Sequence, residues 1–184
     1  MRALEHKTPK DQFRKDCFER LKKASKLPNR YAKDKRLQRE LLEYINHLNP
    51  KVVMLYIPMK IEFDISWIIK KLKQDCRLIY VPFMENESFR LVKYRLPLIK
   101  NSSGIKEPKC SKSFRKKDID LAVVPVIGVD STFKRVGFGR GMYDRFFEKE
   151  KKNIKTTLFI ARYLCISEDI VTNAHDVSPD IIIA

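Results

Sequence analysis

Three of the five glycines in the 184-residue chain lie within five residues, at positions 137, 139 and 141 of the stretch KRVGFGRGMYDRF (134–146). Arginines precede, interrupt and follow these glycines, and the carboxylate of Asp144 comes shortly after them. Glycine lets a backbone approach an anion closely and take positive φ angles, and arginine donates charge-assisted hydrogen bonds to phosphate. The stretch therefore predicts a phosphate-binding loop, with Asp144 placed to hold a Mg²⁺ ion that bridges phosphate oxygens.

The segments on either side of the glycines are typical of a strand before the loop and a helix after it. DLAVVPVIGV (120–129) is the clearest buried strand of the sequence, and MYDRFFEKEKK (142–152) is typical of a helix. The N–H groups of such a loop, with the N-terminus of the following helix, form an anion site. The plainer interpretation is a tight turn with basic neighbours.

The spacing of the glycines excludes two familiar nucleotide-binding loops. A Walker A loop ends in Gly-Lys-Ser or Gly-Lys-Thr, and no such ending is present. A dinucleotide fingerprint has its last two glycines three residues apart and usually lies early in a chain. Here Gly139 and Gly141 are two apart, and the loop lies late.

The rest of the chain alternates between predicted helices and strands. Helices are expected over about 9–26, 31–48 and 65–73, and strands over 51–58, 77–83, 89–94, 156–163 and 180–184. Near-continuous apolar strands are typical of a mostly parallel sheet covered on both faces. We therefore expect one α/β domain over 1–184, a three-layer, Rossmann-like open sheet with helices on both faces. The polar, basic segment 100–118 is predicted to be a lid or a plain surface loop.

Composition limits the function classes without choosing among them. Lysine and arginine number 39 against 23 acidic residues, so the formal net charge is +16, which favours polyanionic partners such as nucleic acid, a membrane surface or phosphorylated small molecules. No apolar run is long enough to span a membrane, and the N-terminus lacks the apolar stretch of a secretory signal. The four cysteines lack zinc-site spacing and are expected to be reduced thiols, two or three of them in the core. A soluble, cytoplasmic protein is expected.

The segment VVPVIGVDSTFKRVGFGRGMYDRF (123–146) resembles the signature of the 5-formyltetrahydrofolate cyclo-ligase family, also called methenyltetrahydrofolate synthetases. Four further segments resemble that family in order and spacing: KDQFR (10–14), IPMKIEFDI (57–65), GIKEP (104–108) and NAHDVSPDIII (173–183). The resemblance spans nearly the whole chain. It departs from the family pattern at Met142, where the family usually has tyrosine, and more mildly at Val136 and Phe138. The usual glycine before Arg135 is also missing.

The resemblance implies an activity and a NagB/RpiA-like fold. The family converts 5-formyltetrahydrofolate and ATP to 5,10-methenyltetrahydrofolate, ADP and phosphate. The resemblance thus implies ATP as co-substrate, Mg²⁺ as cofactor and a small-molecule folate substrate, with no nucleic acid or membrane partner and a monomer as the expected state.

The resemblance also implies roles for individual residues. The ATP-binding set is expected to be Lys10, Arg14, Arg135, Val136, Gly137, Phe138, Gly139, Arg140, Gly141, Met142 and Tyr143. Folate contacts are expected from Ile57, Glu62 and Tyr143, metal binding from Asp144 and Asp176, and catalytic roles for Arg140 and Arg145. His175 is interpreted as a neighbour of the site and not as a base.

Ordinary alternatives remain for several of these residues. Spacing alone favours solvated charges at Lys10 and Arg14, a turn or helix-cap aspartate at Asp176, and a surface-loop glutamate at Glu62. Apolar residues 83, 84 and 89 could wall the pteridine ring but are more often core. Two other functions stay open: a basic nucleic-acid-binding module, and an NTP-dependent kinase of another metabolite.

Overall fold

The computed structural model describes residues 8–102, 104–109 and 118–184. Six strands form a central sheet: β1 (Val52–Met54), β2 (Leu78–Glu85), β3 (Ser88–Lys93), β6 (Ile119–Pro125), β9 (Ile154–Ile160) and β11 (Ile181–Ile183). Their order is β11-β9-β6-β1-β2-β3, and every neighbouring pair is parallel except the β2–β3 hairpin. The mostly parallel sheet is as predicted.

The remaining elements surround this sheet. The described residues include the α-helices α1 (Pro9–Ala24), α2 (Arg30–Leu48), α3 (Ser66–Gln74) and α4 (Met142–Glu150), and a 3₁₀ turn (Lys151–Asn153) follows α4. Strand β4 (Leu98–Lys100) pairs with β5 (Lys106–Pro108), and β7 (Gly128–Val129) lies between β8 (Arg135–Val136) and β10 (Cys165–Ile166). No helix in the described ranges is long and apolar enough to cross a membrane.

Strand β1 shows why both faces of the sheet are covered. Successive side chains of a strand point to opposite faces, so Val53 packs in the cluster formed with α2 and α3, which includes Leu41 and Ile68. Met54 packs in the cluster of the other face, which includes Phe146 of α4. All of these side chains are buried, and helices on both faces are confirmed.

Helix α1 is fixed at its start and at its middle. Thr8 forms a capping box with Asp11, and Pro9 occupies the first turn, where a missing N–H costs nothing. Further along, the helix packs against β7: a Cβ atom at Gly128 would lie 3.2 Å from Phe13 of α1 and 2.8 Å from the carbonyl oxygen of Cys165. The absence of a side chain at position 128 therefore permits this close approach.

Three strand predictions were wrong in extent. The predicted strand 120–129 is divided, because the chain leaves the central sheet after β6 and the N–H of Ile127 pairs with the carbonyl of Val136. The predicted strand 51–58 is limited to β1. The strand predicted at 77–83 continues to Glu85, and it accommodates Pro82 because β1 ends opposite Tyr80 and Pro82 pairs only with Leu91 of β3.

The predicted loop 100–118 contains part of the β4–β5 hairpin, and residues 110–117 lie outside the described residues. Of the cysteines, Cys17 and Cys165 are buried and Cys76 is exposed, all three as free thiols, in agreement with the expectation. Cys110 lies outside the described residues.

Candidate active site

Two cavities lie beyond the carboxyl ends of β1 and β6, and they share Arg135 and Gly141. The first, which we call the apolar cavity, encloses about 110 Å³. It is lined by Tyr56, Ile57, Met59, Glu62, Pro82, Met84, Phe89, Ile105, Lys106, Pro125, Arg135, Phe138, Arg140, Gly141, Met142 and Tyr143. The second, the charged cavity, encloses about 280 Å³. It is lined by Lys10, Arg14, Arg135, Gly137, Gly139, Gly141, Asp144, Arg145, Glu148, Asn173, His175 and Asp176.

The glycine loop supplies backbone N–H groups to the charged cavity. Gly139 and Gly141 have φ angles of +96° and +60°, which side chains rarely allow. Gly141 is also the N-cap of α4, and no side chain caps this helix. The N–H groups of its first turn thus remain available to an anion, with the helix dipole reinforcing them.

Arg135 stands between the two cavities. The residue is 4% exposed; its Nε donates to the carbonyl of Pro125 at 3.3 Å, and its Nη1 lies 3.7 Å from Asp144 Oδ2. Its guanidinium also covers the Tyr143 ring, 4.7 Å from the ring centre. Burial lowers the pKa of Arg135 from its usual value, while nearby Asp144 opposes that shift. The guanidinium is therefore a buried positive charge held between a carboxylate and an aromatic face.

Three acidic residues line the charged cavity, Asp144, Glu148 and Asp176, and the two aspartates are the predicted metal ligands. The Oδ1 atom of Asp144 is buried without a hydrogen-bond partner among the described residues. Asp176 Oδ2 accepts hydrogen bonds from Lys10 Nζ at 2.5 Å and from the N–H of Asn173 at 2.6 Å. Within the described ranges no group of three or more His, Cys, Asp or Glu residues could hold a metal by itself. This set suits an ion such as Mg²⁺, which takes one or two carboxylates together with phosphate and water oxygens.

The two cations predicted on the first helix both reach the charged cavity. Lys10 pairs with Asp176, and Arg14 Nε donates to the carbonyl of Gly137 at 3.0 Å. Arg14 also pairs with Asp11, 2.5 Å away. Helix α1 is thus tied at two points to the cavity, and its cations are not simply solvated.

Glu62 is the buried acid of the apolar cavity. The residue is 7% exposed, and its carboxylate accepts a hydrogen bond from the N–H of Met59 at 2.8 Å. Burial raises the pKa of Glu62 to about 7, although the Met59 N–H and the charge of Arg135 lower it. Burial likewise raises the pKa of Tyr143, which shares the cavity. The pKa of Glu62 is therefore close to neutral pH, and its carboxyl group faces any molecule bound in the apolar cavity.

The chain matches the model of the 5-formyltetrahydrofolate cyclo-ligase family over residues 6–184. It belongs to this family. Its sequence is 23% identical to the 5-formyltetrahydrofolate cyclo-ligase of Mus musculus over 194 residues, which cover 98% of this chain and 95% of the mouse protein.

Two solved structures share the fold. The 5,10-methenyltetrahydrofolate synthetase of Mycoplasma pneumoniae aligns with a TM-score of 0.69 and 20% identity, over 96% of this chain and 98% of that one. The corresponding protein of Aquifex aeolicus aligns with a TM-score of 0.71 and 23% identity, over 95% and 88% of the two chains.

The residues expected from the family pattern are brought together with one exception. Val136 is buried in β8 and lines neither cavity. Met142 lines the apolar cavity beside Tyr143. Arg140 also lines the apolar cavity, whereas Arg145 lines the charged cavity and donates to the carbonyls of Glu87 and Arg140. The guanidinium of Arg145 therefore holds the end of the glycine loop.

Sequence reasoning missed other residues of this cyclo-ligase site. Lys106 brings a cation and Tyr56 a buried ring to the apolar cavity. Lys106 lies within GIKEP, a segment that resembles the family, so its basic side chain was the available signal. Of the three apolar residues considered for the pteridine, 84 and 89 line the cavity, and Phe83 instead lies under the guanidinium of Arg90.

Proposed function

We propose that the protein converts 5-formyltetrahydrofolate and ATP to 5,10-methenyltetrahydrofolate, ADP and phosphate. The observation that carries this proposal is the wall that the two cavities share at Arg135 and Gly141. An apolar cavity with a buried carboxyl group suits the flat, N–H-bearing pteridine, and a cavity of cations and glycine N–H groups suits a triphosphate. The formyl group of the folate and the γ-phosphate of ATP would therefore meet beside the buried guanidinium of Arg135.

The chemistry makes an amide oxygen into a leaving group. The formyl oxygen attacks the γ-phosphorus of ATP, an O–P bond forms, and the bond to the β–γ bridging oxygen breaks to release ADP. The nitrogen at position 10 of the folate then attacks the activated carbon, and the C–O bond breaks. Phosphate leaves with the bonding electrons, and the attacking nitrogen loses its proton to water. Neither step needs a protein nucleophile.

The residues of the chain position the two substrates and stabilise charge. The Arg135 guanidinium lies where negative charge develops on the transferred group, and the N–H groups at the start of α4 bind phosphate oxygens. Lys10 adds a cation from α1. Glu62 accepts or donates a hydrogen bond with the pteridine, and Tyr143 and Ile57 pack against its ring. Preorganised contacts of this kind contribute about 10²–10³ in rate each.

Mg²⁺ neutralises phosphate charge when it is bound. Asp144 and Asp176 would hold it, because both residues line the charged cavity and Asp144 Oδ1 has no hydrogen-bond partner within the described part of the chain. We also propose that the protein acts as a cytoplasmic monomer.

A turnover assay tests the proposal. Purified protein with 5-formyltetrahydrofolate, ATP and MgCl₂ should generate the near-ultraviolet absorbance of the methenyl product together with one ADP per product. Omitting ATP, or replacing it with a non-hydrolysable analogue, should abolish both signals. Folded protein that forms neither product would overturn the assignment.

The net charge of +16 favours one competing function, a nucleic-acid-binding module. It predicts affinity for DNA or RNA that falls steeply with salt. Filter binding at several salt concentrations separates the two functions, and we expect only weak binding that is lost at physiological salt. Tight binding without folate turnover would favour the module.

A further inference from the structure

Arg162 forms a buried ion pair and lines neither of the two cavities. It follows β9 by two residues and is 5% exposed. Its Nε donates to Asp34 Oδ1 at 2.6 Å, and its Nη2 donates to Asp34 Oδ2 at 2.8 Å. Asp34 lies in the first turns of α2 and is itself buried. Desolvation offsets much of the attraction in a buried pair, so stability alone is a weak reason for its presence.

The Arg162 guanidinium also donates hydrogen bonds to the backbone of the segment that carries Glu62. Its Nη2 also donates to the carbonyl of Glu62 at 3.0 Å, and its Nη1 donates to the carbonyl of Ile61 at 3.3 Å. The next carbonyl, that of Phe63, accepts from the Tyr56 hydroxyl at 2.7 Å. Three successive carbonyls are therefore held by side chains.

These contacts decide where the Glu62 carboxylate lies. Its backbone is fixed by Arg162, and its carboxylate is fixed by the N–H of Met59 and lines the apolar cavity. The guanidinium reaches from the end of β9 to the segment after β1, although β6 separates these strands in the sheet. No neighbouring-strand hydrogen bond could replace that connection.

We propose that the Asp34–Arg162 pair is a positioning device for the folate-binding carboxylate of Glu62. The inference rests on the proposed function, because it assigns the pair to substrate affinity and not to the chemical step. Asp34 orients the guanidinium, the guanidinium fixes the carbonyls of Ile61 and Glu62, and the turn presents the carboxylate to the pteridine. A displacement of about 1 Å at such a group can cost about 100-fold in efficiency.

Kinetics of Arg162→Lys and Asp34→Asn test this inference. Lysine keeps the charge but lacks the planar fork that spans a carboxylate and two carbonyls. Each variant should raise KM for 5-formyltetrahydrofolate about tenfold or more, with KM for ATP changed by less than about twofold. Arg77→Lys is the matched control, because Arg77 also donates to a main-chain carbonyl, that of Pro50, at the amino-terminal ends of β1 and β2.

A double-mutant cycle separates positioning from general support of the fold. In a Glu62→Gln background, Arg162→Lys should raise KM for the folate by less than about threefold, because the carboxylate that it positions is already gone. An undiminished effect in that background, or equal rises in KM for both substrates, would overturn the inference. Asparagine keeps the shape of aspartate, so the kinetics of Asp34→Asn test the positioning role if Arg162→Lys is not recovered as folded protein.

The wild-type protein distinguishes failure of this inference from failure of the proposed function. If the wild-type protein turns over the folate and the variants have the same KM for it, only the positioning role is overturned. A folded wild type with no folate turnover overturns the proposed function and the positioning role with it.

Discussion

A Cβ atom on Gly137 would lie 2.3 Å from Nη1 of Arg135, the residue two positions before it. The guanidinium thus folds back over its own chain and occupies the space that a side chain at 137 would take. Gly137 is not needed for a positive φ angle, since only Gly139 and Gly141 of this loop have one. Its role is to make room for the cation that both cavities share.

Gly137→Ala should therefore act through Arg135. The added methyl group displaces a buried guanidinium, and we expect kcat/KM to fall by about 10²–10³. Steady-state assays measure the loss. In an Arg135→Ala background the same substitution should have little further effect, because the colliding group is absent. Additive losses would show that Gly137 matters for some other reason.

Asp144→Asn tests the proposed metal ligand. Asparagine keeps the shape of aspartate, and Oδ1 has no hydrogen-bond partner among the described residues, so circular dichroism should show an intact fold even though the ion pair of Oδ2 with Arg135 is weakened. Turnover should fall by about 10²–10³, and added MgCl₂ should not restore it, because a neutral amide binds Mg²⁺ poorly. A wild-type rate with an unchanged Mg²⁺ dependence would remove Asp144 from the metal site.

Lys10→Ala should weaken the nucleotide side of the reaction. It removes a cation from the charged cavity and the ion-pair partner of the buried Asp176, which keeps only the hydrogen bond from the N–H of Asn173 among the described contacts. We expect kcat/KM for ATP to fall by about 10²-fold, with KM for the folate changed by less than about twofold. Lys22→Ala is the matched control, since Lys22 lies on the same helix, is exposed and lines neither cavity. Equal effects of the two substitutions would point to net charge alone.

Glu62→Gln should make stability less dependent on pH. The pKa of Glu62 is raised by burial from 4.5 to about 7, so between those values the folded protein holds a proton that the unfolded chain has released. Wild-type stability is therefore lost as pH rises from about 4.5 to 7. The stability advantage of Glu62→Gln should grow by about 2–3 kcal/mol between pH 5 and pH 8. Urea unfolding at several pH values measures it, and parallel curves would contradict the expectation.

Local patterns in the sequence predicted the elements that carry the site. The glycine loop and α4 follow from residue types that permit only a few conformations, and α1 follows from its cap and its apolar stripe. The β7–β8 pairing was missed because it depends on chain segments that meet only in three dimensions. The same holds for β2, which tolerates Pro82 only because β1 is short.

The candidate site was predictable where it repeats a family pattern and hidden elsewhere. Arg162 and Asp34 are 128 positions apart, and neither belongs to a recognisable motif. Their pairing depends on how the start of α2 meets the end of β9 in the folded chain, which no local pattern predicts. Val136 is the opposite case, since it lies within the matching motif but is buried and lines neither cavity.

Under the proposed function, the bare backbone at Gly128 links a position that lines neither cavity to the binding of ATP. Helix α1 packs against it through Phe13, which lies between Lys10 and Arg14. A methyl group at 128 would lie 2.8 Å from the Cys165 carbonyl oxygen and 3.2 Å from the Phe13 ring, so we expect it to shift Lys10 and Arg14 together. A screen of substitutions would then score residue 128 as an ATP contact, although it touches no ligand. In a variant substituted at residue 128, excess ATP should restore the rate, and KM for the folate should be unchanged.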